Sequence, residues 1–455
     1  MLNPEYTKQR FFGLTDISEE EPDDLQSLIR LLLYSNAIDI EGLVATSSEW
    51  KAINGTGARP DLIRQAINAY EEDRPSLLRH SADFPEAGHL RGLVAAGNGN
   101  DLASTGTGKE SGGAELLVEA LEREDPRPLW VGIWGGASTL TQALQTLRDR
   151  HGNGPRLTEV LKRLRVYEIQ GQDDAGAWVA VNFPEVPFIR SQYQFRALSN
   201  RVDGVWPEPR RYLDEYVEAA WFARNIRSVN SALGRLYPDA RYMFEGDTPS
   251  ILHLIPNGLH DPDSIHQGGW GGRFLEEKTR NVWSGGCPVN DEGRFGDFFM
   301  HTDAADALPV AATGKCSRNV YNPLRRWRNA YQNDFAARMA WTVLAYADAN
   351  HAPVAVVDGD PSREVLHRAL VPGASVRLDA SKTYDPDGDS VSFTWWIYRD
   401  CGTRGFEPEI RLEEPGIAVV SAPEDSPSGE AHLILEVTDS GAPPLKAYRR
   451  IVLKN

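Results

Sequence analysis

The chain opens on alternating and then periodic apolar positions. Phe11 to Leu14 form a short apolar run, and a polar loop, Thr15 to Glu21, follows it. Pro22 then stands where a first helical residue is tolerated, and Leu25, Leu28, Ile29 and Leu32 recur at helical spacing. This pattern predicts strand, loop and helix. A second apolar run, Ile38 to Ala45, comes at the interval a βαβ unit requires, so the first two strands are expected to be parallel neighbours. In such sheets ligands bind beyond the carboxyl ends of the strands. The loop after the first strand and Thr46-Ser47-Ser48-Glu49 after the second therefore border one crevice.

Further runs continue the theme. Asp61 to Tyr70 is helical by period with Pro60 to open it, Leu129 to Trp134 reads as a strand ending in Gly135-Gly136, and Ser138 to Leu147 reads as a helix. Arg165 to Ile169 and Arg241 to Phe244 read as strands, each followed by a polar loop: Gln172-Asp173-Asp174 after one, Glu245-Gly246-Asp247-Thr248 after the other. Gly106-Thr107-Gly108-Lys109 fails as a phosphate-binding loop, because Ala103 stands where its first glycine belongs. Between 253 and 306 regular patterns give out. There Trp270 and Trp283, set between glycines beside Arg273, fit either a sugar-stacking surface or anchors of the loop to the core. Trp327 to Trp341 is a helix by period, with Asn333-Asp334 near its start.

From about residue 351 the pattern changes to short apolar runs separated by Pro, Gly and Asp: Val354 to Val357, Ser375 to Leu378, Val391 to Trp396, Ile417 to Val420 and Leu433 to Val437. These predict a β-sandwich over 351–455 behind an α/β domain over 1–350 built on a doubly wound, mostly parallel sheet. Asp385-Pro386-Asp387-Gly388-Asp389 is either an ordinary turn or a structural Ca²⁺ site.

A chain of 455 residues with 41% hydrophobic and 25% charged residues is an ordinary soluble composition of more than one domain. The formal net charge of -17 argues against a nucleic-acid backbone or an anionic membrane as partner and favours neutral substrates or cations. No apolar run is long enough to span a bilayer, and the first residues lack a signal-peptide pattern. The three cysteines are too few and scattered for a disulfide framework or a zinc site. Charge matters most in the first loop, where Asp16, Glu19, Glu20, Glu21, Asp23 and Asp24 crowd six carboxylates into nine residues. Glu19 and Glu20 read as solvent-facing charges near a helix amino terminus, whereas Asp16, Asp23 and Asp24 read as ligands of a hard cation such as Ca²⁺.

Asp16, Asp23-Asp24 opening a helix, and Asn333-Asp334 on a late one resemble the nucleoside hydrolases. Thr15 to Asp24, Trp134-Gly135-Gly136, Gln172-Asp173-Asp174, Glu245 to Ser250, Trp270 to Arg273, Asn333 to Arg338 and Ala349-Asn350-His351 are similar, more closely, to the nucleoside-hydrolase-like family labelled cellulose-binding, which adds a carboxyl-terminal β-sandwich. The resemblance implies that Asp16, Asp23, Asp24 and Asp334 hold Ca²⁺. It also gives Asp16 the activation of water and sets Glu49, Asp174, Trp270, Arg273 and Asn333 around the substrate. Departures from true nucleoside hydrolases are the longer first loop and Asn333 in place of a histidine. The sandwich resembles polycystic-kidney-disease-like repeats of secreted polysaccharide enzymes, which implies an extracellular or periplasmic place.

The function expected from these residues is a Ca²⁺-dependent glycoside hydrolase acting on carbohydrate, with a furanoside favoured and Glu245 or Asp247 as the acid for the leaving oxygen. A non-catalytic polysaccharide-binding protein and an N-ribosyl (nucleoside) hydrolase are the alternatives.

Overall fold

The computed structural model describes residues 6–54, 57–198, 214–239, 245–279, 295–309 and 315–455. Eight strands form the main sheet: β1 Gln9–Thr15, β2 Ile38–Ala45, β3 Val94–Ala96, β4 Leu129–Ile133, β5 Leu164–Ile169, β6 Phe188–Ser191, β7 Phe274–Thr279 and β8 Phe298–Asp303. Their order is β3-β2-β1-β4-β5-β6-β8-β7. All neighbours pair parallel except β7 with β8 at the edge. The order reverses direction between β1 and β4. That reversal opens a crevice beyond the carboxyl ends of these two strands.

Both sheet faces are covered, so β1 is apolar on both sides. Phe11 joins the core beneath α1 (Pro22–Leu33) and the helix Pro60–Leu77, while Phe12 and Leu14 join the core beneath the helices Gly112–Glu122 and Ser138–His151. The predicted helices open where proline placed them: Pro22 and Pro60 are both in the first helical turn. Strands β3, β6, β7 and β8 are too short or too mixed in polarity to announce themselves in the sequence. The segment Arg241 to Phe244 and Trp283 lie outside the described residues.

The carboxyl-terminal part forms a four-stranded sheet (Leu366–Ala369, Lys446–Lys454, Glu430–Asp439, Val391–Ile397) and a three-stranded one (Ser375–Asp379, Ile417–Ser421, Glu409–Glu414) around its own apolar core. Val354 to Val357 makes only isolated bridges. The four-stranded sheet lies against the α/β domain. Trp327 packs on Trp396, Tyr398 and Tyr448 at ring separations of 5.7, 6.0 and 5.5 Å. The amides of Tyr448 and Arg450 donate to the carbonyls of Asn257 and Gly258, both at 3.0 Å. Gly258 has φ +84°, and a Cβ there would meet the Tyr448 carbonyl oxygen at 2.0 Å, so this edge contact requires glycine.

Trp270 and Arg273 belong to this junction, which corrects their assignment to substrate. Trp270 is 1% exposed, donates its indole N–H to the Tyr448 hydroxyl at 3.4 Å and lies edge-on to Tyr331 and Tyr448. Arg273 is buried and ion-paired with Asp306 at 2.8 Å, and Asp306 in turn accepts the Tyr398 hydroxyl. A buried ring removed at such a joint leaves a cavity. Trp270→Ala is therefore expected to lower unfolding stability by about 3–5 kcal/mol, read by denaturant titration. Unchanged stability with weakened sugar binding would return Trp270 to the substrate.

The Asp385–Asp389 stretch is a turn serving the chain. Asp387 accepts the His351 amide at 2.7 Å, Asp385 Oδ1 accepts the amides of Asp387 and Asp389, and Asp389 accepts the Ser440 hydroxyl. Asp385, Asp387 and Asp389 do not share one coordination sphere. These oxygens hold backbone, histidine and hydroxyl hydrogens, except Asp385 Oδ2, which is buried without a hydrogen-bond partner.

Candidate metal centre

Four loops meet beyond β1, β2, β4 and β5. Asp16 follows β1, and a Cβ on Gly135 after β4 would lie 2.7 Å from its carboxylate, so only a glycine lets the two loops close to this distance. The Gly136 amide donates to the Ser47 carbonyl at 2.9 Å, the Glu49 amide donates to the Gln172 carbonyl at 3.1 Å, and the Ser48 hydroxyl hydrogen-bonds Asp16. Glu49, buried at the start of the helix Glu49–Asn54, thus borders the crevice. Asp174 stands on its far rim, accepting the Leu102 amide at 2.9 Å.

Asp16, Glu21 and Asp24 bring ligand oxygens within 4.8 Å of one another. Oxygens on opposite sides of a bound Ca²⁺ stand about 5 Å apart, so the spacing suits that ion. Thr15 donates its hydroxyl to Asp24 and fixes the direction of that carboxylate. Asp247 faces the same group: Asp24, Asp23, Asp16 and Glu21 all act on its charge. Its loop is docked by α1 and β4, for Thr248 and Ser27 share a hydrogen bond at 3.0 Å and the Trp134 indole donates to Ser250 at 2.9 Å. Asp16 and Asp247 are only 2% and 3% exposed; Glu21 and Asp23 are half-buried and form the open side.

Five carboxylates this close resist ionisation together. Burial first, and then the neighbouring negative charges, raise Asp24 and Asp247 well above the usual carboxylate range, raise Glu21, and push Asp23 up to about 7. Burial also raises Asp16, against the Ser48 hydrogen bond and the Lys51 charge. Lys51, whose ammonium donates to the Ile17 carbonyl at 2.8 Å and the Gly57 carbonyl at 3.2 Å, is the nearby cation. Two buried oxygens of the group, Glu21 Oε2 and Asp247 Oδ2, have no hydrogen-bond partner. A divalent cation would satisfy both and discharge the cluster, so the residues fit a hard-metal centre.

Four expectations about this centre are corrected. Asp23 is not among the residues whose ligand oxygens lie within 4.8 Å of one another; it stands half-buried beside Asp24 on the open side. Asp334 is not part of the centre: it accepts the Tyr34 hydroxyl and pairs with Arg338 at 3.1 Å. Tyr34 lies ten residues beyond Asp24 along α1, about 15 Å at 1.5 Å per residue, and the late helix Arg328–Trp341 docks at that end. Asn333 on the same helix donates to the Pro444 carbonyl at 3.0 Å, toward the sandwich and away from substrate. Glu245 is fully buried, its backbone amide donating to Gln26 at 2.9 Å and its carboxylate paired with Arg30 at 3.2 Å, so it fastens α1 and cannot reach a leaving group. Glu245→Gln leaves Arg30 as an uncompensated buried charge and is expected to cost about 3 kcal/mol or more of stability, read by thermal or denaturant unfolding. Full stability with selective loss of cleavage of poor leaving groups would restore its catalytic role.

Asp247 was foreseen as an acid, and Glu21 only as one of six loop charges; neither was foreseen as a member of the carboxylate cluster. Their signal lay in position, Glu21 between Asp16 and Asp23 and Asp247 at the start of the helix Thr248–Leu252. A second group, His266, Glu430 and His432, also clusters. Arg450 donates to His432 Nδ1 at 2.9 Å, so the ring proton sits on Nε2, facing Glu430 and occupying the position a metal would need. That group is a hydrogen-bonded network around Glu430, whose ion-pair partner is Lys454 at 3.2 Å.

Comparison with known proteins agrees with this architecture. Residues 10–274 match the family described as Cellulose-binding Sde182, nucleoside hydrolase-like domain, and residues 375–455 match Cellulose-binding protein Sde0182, C-terminal domain. A solved structure from Saccharophagus degradans, described as a nucleoside hydrolase-related hypothetical protein associated with carbohydrate metabolism, is 33% identical, with a TM-score of 0.85 over 98% of this chain and 100% of that one. The type III effector XopQ complexed with adenosine diphosphate ribose is 9% identical with a TM-score of 0.36 over 75% of this chain and 96% of that one, a likeness that carries no argument. A stretch of 159 residues, 35% of this chain, is 28% identical to human Protocadherin-10 and spans 14% of that protein.

Proposed function

Because the chain belongs to the Sde182 nucleoside-hydrolase-like family, we propose that it is a Ca²⁺-dependent glycoside hydrolase acting on carbohydrate, with a furanoside as the favoured sugar. The observation that carries this reading is the convergence of Asp16, Glu21 and Asp24, with Asp247 beside them, on one small volume holding unsatisfied carboxylate oxygens. Asp16, Glu21, Asp24 and Asp247 would hold the ion. When bound it would supply charge that favours deprotonation of water and grips vicinal hydroxyls of a sugar.

The chain's own groups divide the remaining work. Asp16, oriented by Ser48, takes the proton of the attacking water. Asp23, half-exposed on the open side beside Asp24, is placed to hand a proton to the leaving oxygen. Glu49 and Asp174 lie on the rim where sugar hydroxyls would be read. With Trp270, Arg273 and Asn333 committed to the sandwich junction, little of the set expected to read a second sugar remains among the described residues.

The family description favours a second reading, a protein that holds polysaccharide without cleaving it. The sandwich offers it little support: Trp395, Tyr398 and Tyr448 are buried and Trp396 packs on Trp327, so these rings form no open stacking face. No helix among the described residues is long and apolar enough to cross a membrane; an extracellular or periplasmic place belongs to this proposal. Asp23→Asn tests the acid. It is expected to slow release of an alkyl furanoside about 100-fold or more while slowing a nitrophenyl furanoside much less, since nitrophenolate leaves without protonation. Equal slowing of both removes Asp23 as acid, and saturable cellulose binding with no release from any glycoside or nucleoside favours the second reading.

A further inference from the structure

We propose that His80, His351 and Asp387 form a proton-dependent clasp between the α/β domain and the sandwich, held closed by one positive charge shared between the two imidazoles. His80 follows the helix Pro60–Leu77, His351 lies in the connection after Trp341, and Asp387 lies in the sandwich turn. The clasp is independent of the carboxylate centre.

Hydrogen counting leads to this conclusion. His80 Nε2 lies 3.1 Å from the Leu344 carbonyl oxygen, His80 Nδ1 lies 2.9 Å from His351 Nε2, and His351 Nδ1 lies 2.9 and 3.1 Å from the two oxygens of Asp387. A carbonyl and a carboxylate only accept, so both outer nitrogens must carry hydrogen. Two neutral imidazoles own two ring hydrogens, and these outer contacts use both. The inner nitrogens would then face each other as lone pairs at 2.9 Å. One added proton turns that repulsion into a hydrogen bond. Three contacts along four nitrogens therefore need three protons, and the pair carries a single charge opposite Asp387.

The surroundings accept one charge and refuse two. Trp341 stacks on His80 and on His351, both at 5.0 Å, and Tyr346 stacks on His351 at 4.0 Å, faces that favour a cation. From the sandwich, Asp387 and Asp385 favour the proton; Arg338 of the late helix opposes it at His351 and Arg79 opposes it at His80. Burial pushes both rings below the ordinary histidine value, joined by the His351 charge at His80 and by the Arg338 charge at His351, so a proton on each ring is bound only in stronger acid. The single shared proton is held against that burial by the inner hydrogen bond and by the Asp387 charge.

The test uses the full chain with ¹⁵N-labelled histidine, followed by NMR from pH 5 to 8 and assigned with His80→Gln and His351→Gln. The expected result is one step in which both rings move together with the amplitude of a single proton. Asp387→Asn should move that step down by about one pH unit or more. Independent one-proton titrations of the two rings, or two neutral rings throughout, would each overturn the clasp.

Discussion

Asp24→Asn is expected to abolish turnover and weaken Ca²⁺ binding by about 100-fold or more, the size at which loss of a direct charged ligand should exceed the effect of a supporting group. The fold should survive. Asparagine keeps the shape and still accepts the Thr15 hydroxyl, while a carboxyl that must take up a proton on folding at neutral pH disappears. Metal-free Asp24→Asn should therefore be at least as stable as the metal-free wild type at neutral pH, a gain in stability paired with a loss of function. Calorimetric Ca²⁺ titration and unfolding of both proteins in chelator check it. Wild-type turnover in Asp24→Asn would remove this carboxylate from the reaction, and collapse of the fold would make its role structural.

Removing the ion from the wild type is expected to abolish activity and to lower the unfolding temperature, with recovery on adding Ca²⁺. An ion at one hundred times its dissociation constant stabilises a fold by about 2.7 kcal/mol, and each kcal/mol moves the midpoint by about 2–4 °C in proteins of 150–250 residues. A difference of several degrees follows. Its pH dependence has a definite sign. In the metal-free protein burial raises Asp16, Glu21, Asp23, Asp24 and Asp247 above their unfolded values, Asp23 to about 7. Such groups stabilise the fold fully below the unfolded carboxylate values near 4 and lose that contribution as pH rises through the folded ones. Metal-free stability should therefore fall between about pH 4 and 7. Because Ca²⁺ binds the ionised forms, the increment it provides should widen over the same window. Thermal scans with and without chelator at several pH values measure it, and an increment independent of pH would contradict a carboxylate centre.

Much of the frame was legible because it is local. The run Phe11 to Leu14, buried on both faces, announced a central parallel strand, and Pro22 and Pro60 marked where helices begin. Asp16, Asp23 and Asp24 could be placed together because strand, loop and helix are consecutive. What failed depends on partners far away in sequence. Asp334 is taken by Tyr34, 300 residues earlier, and Trp270 by Tyr448, 178 residues later. Glu245 is taken by Arg30 of α1, a pairing no local pattern carries. Asp247 enters the centre because Ser27 and Trp134 draw its loop across β4. A glycine-flanked tryptophan has the same local appearance whether it meets a sugar or a second domain, and only the sandwich packing decides between them.

The choice between Asp247 and Asp334 as partner of Asp16, Glu21 and Asp24 is the central claim, and Ca²⁺ calorimetry on the full chain tests it most directly. Asp334→Asn should bind Ca²⁺ within a few-fold of the wild type, because Tyr34 and Arg338 hold that carboxylate at the far end of α1. Asp247→Asn should lose about 100-fold or more, having lost a charge from the centre itself. Retained binding in Asp247→Asn together with its loss in Asp334→Asn would contradict the account.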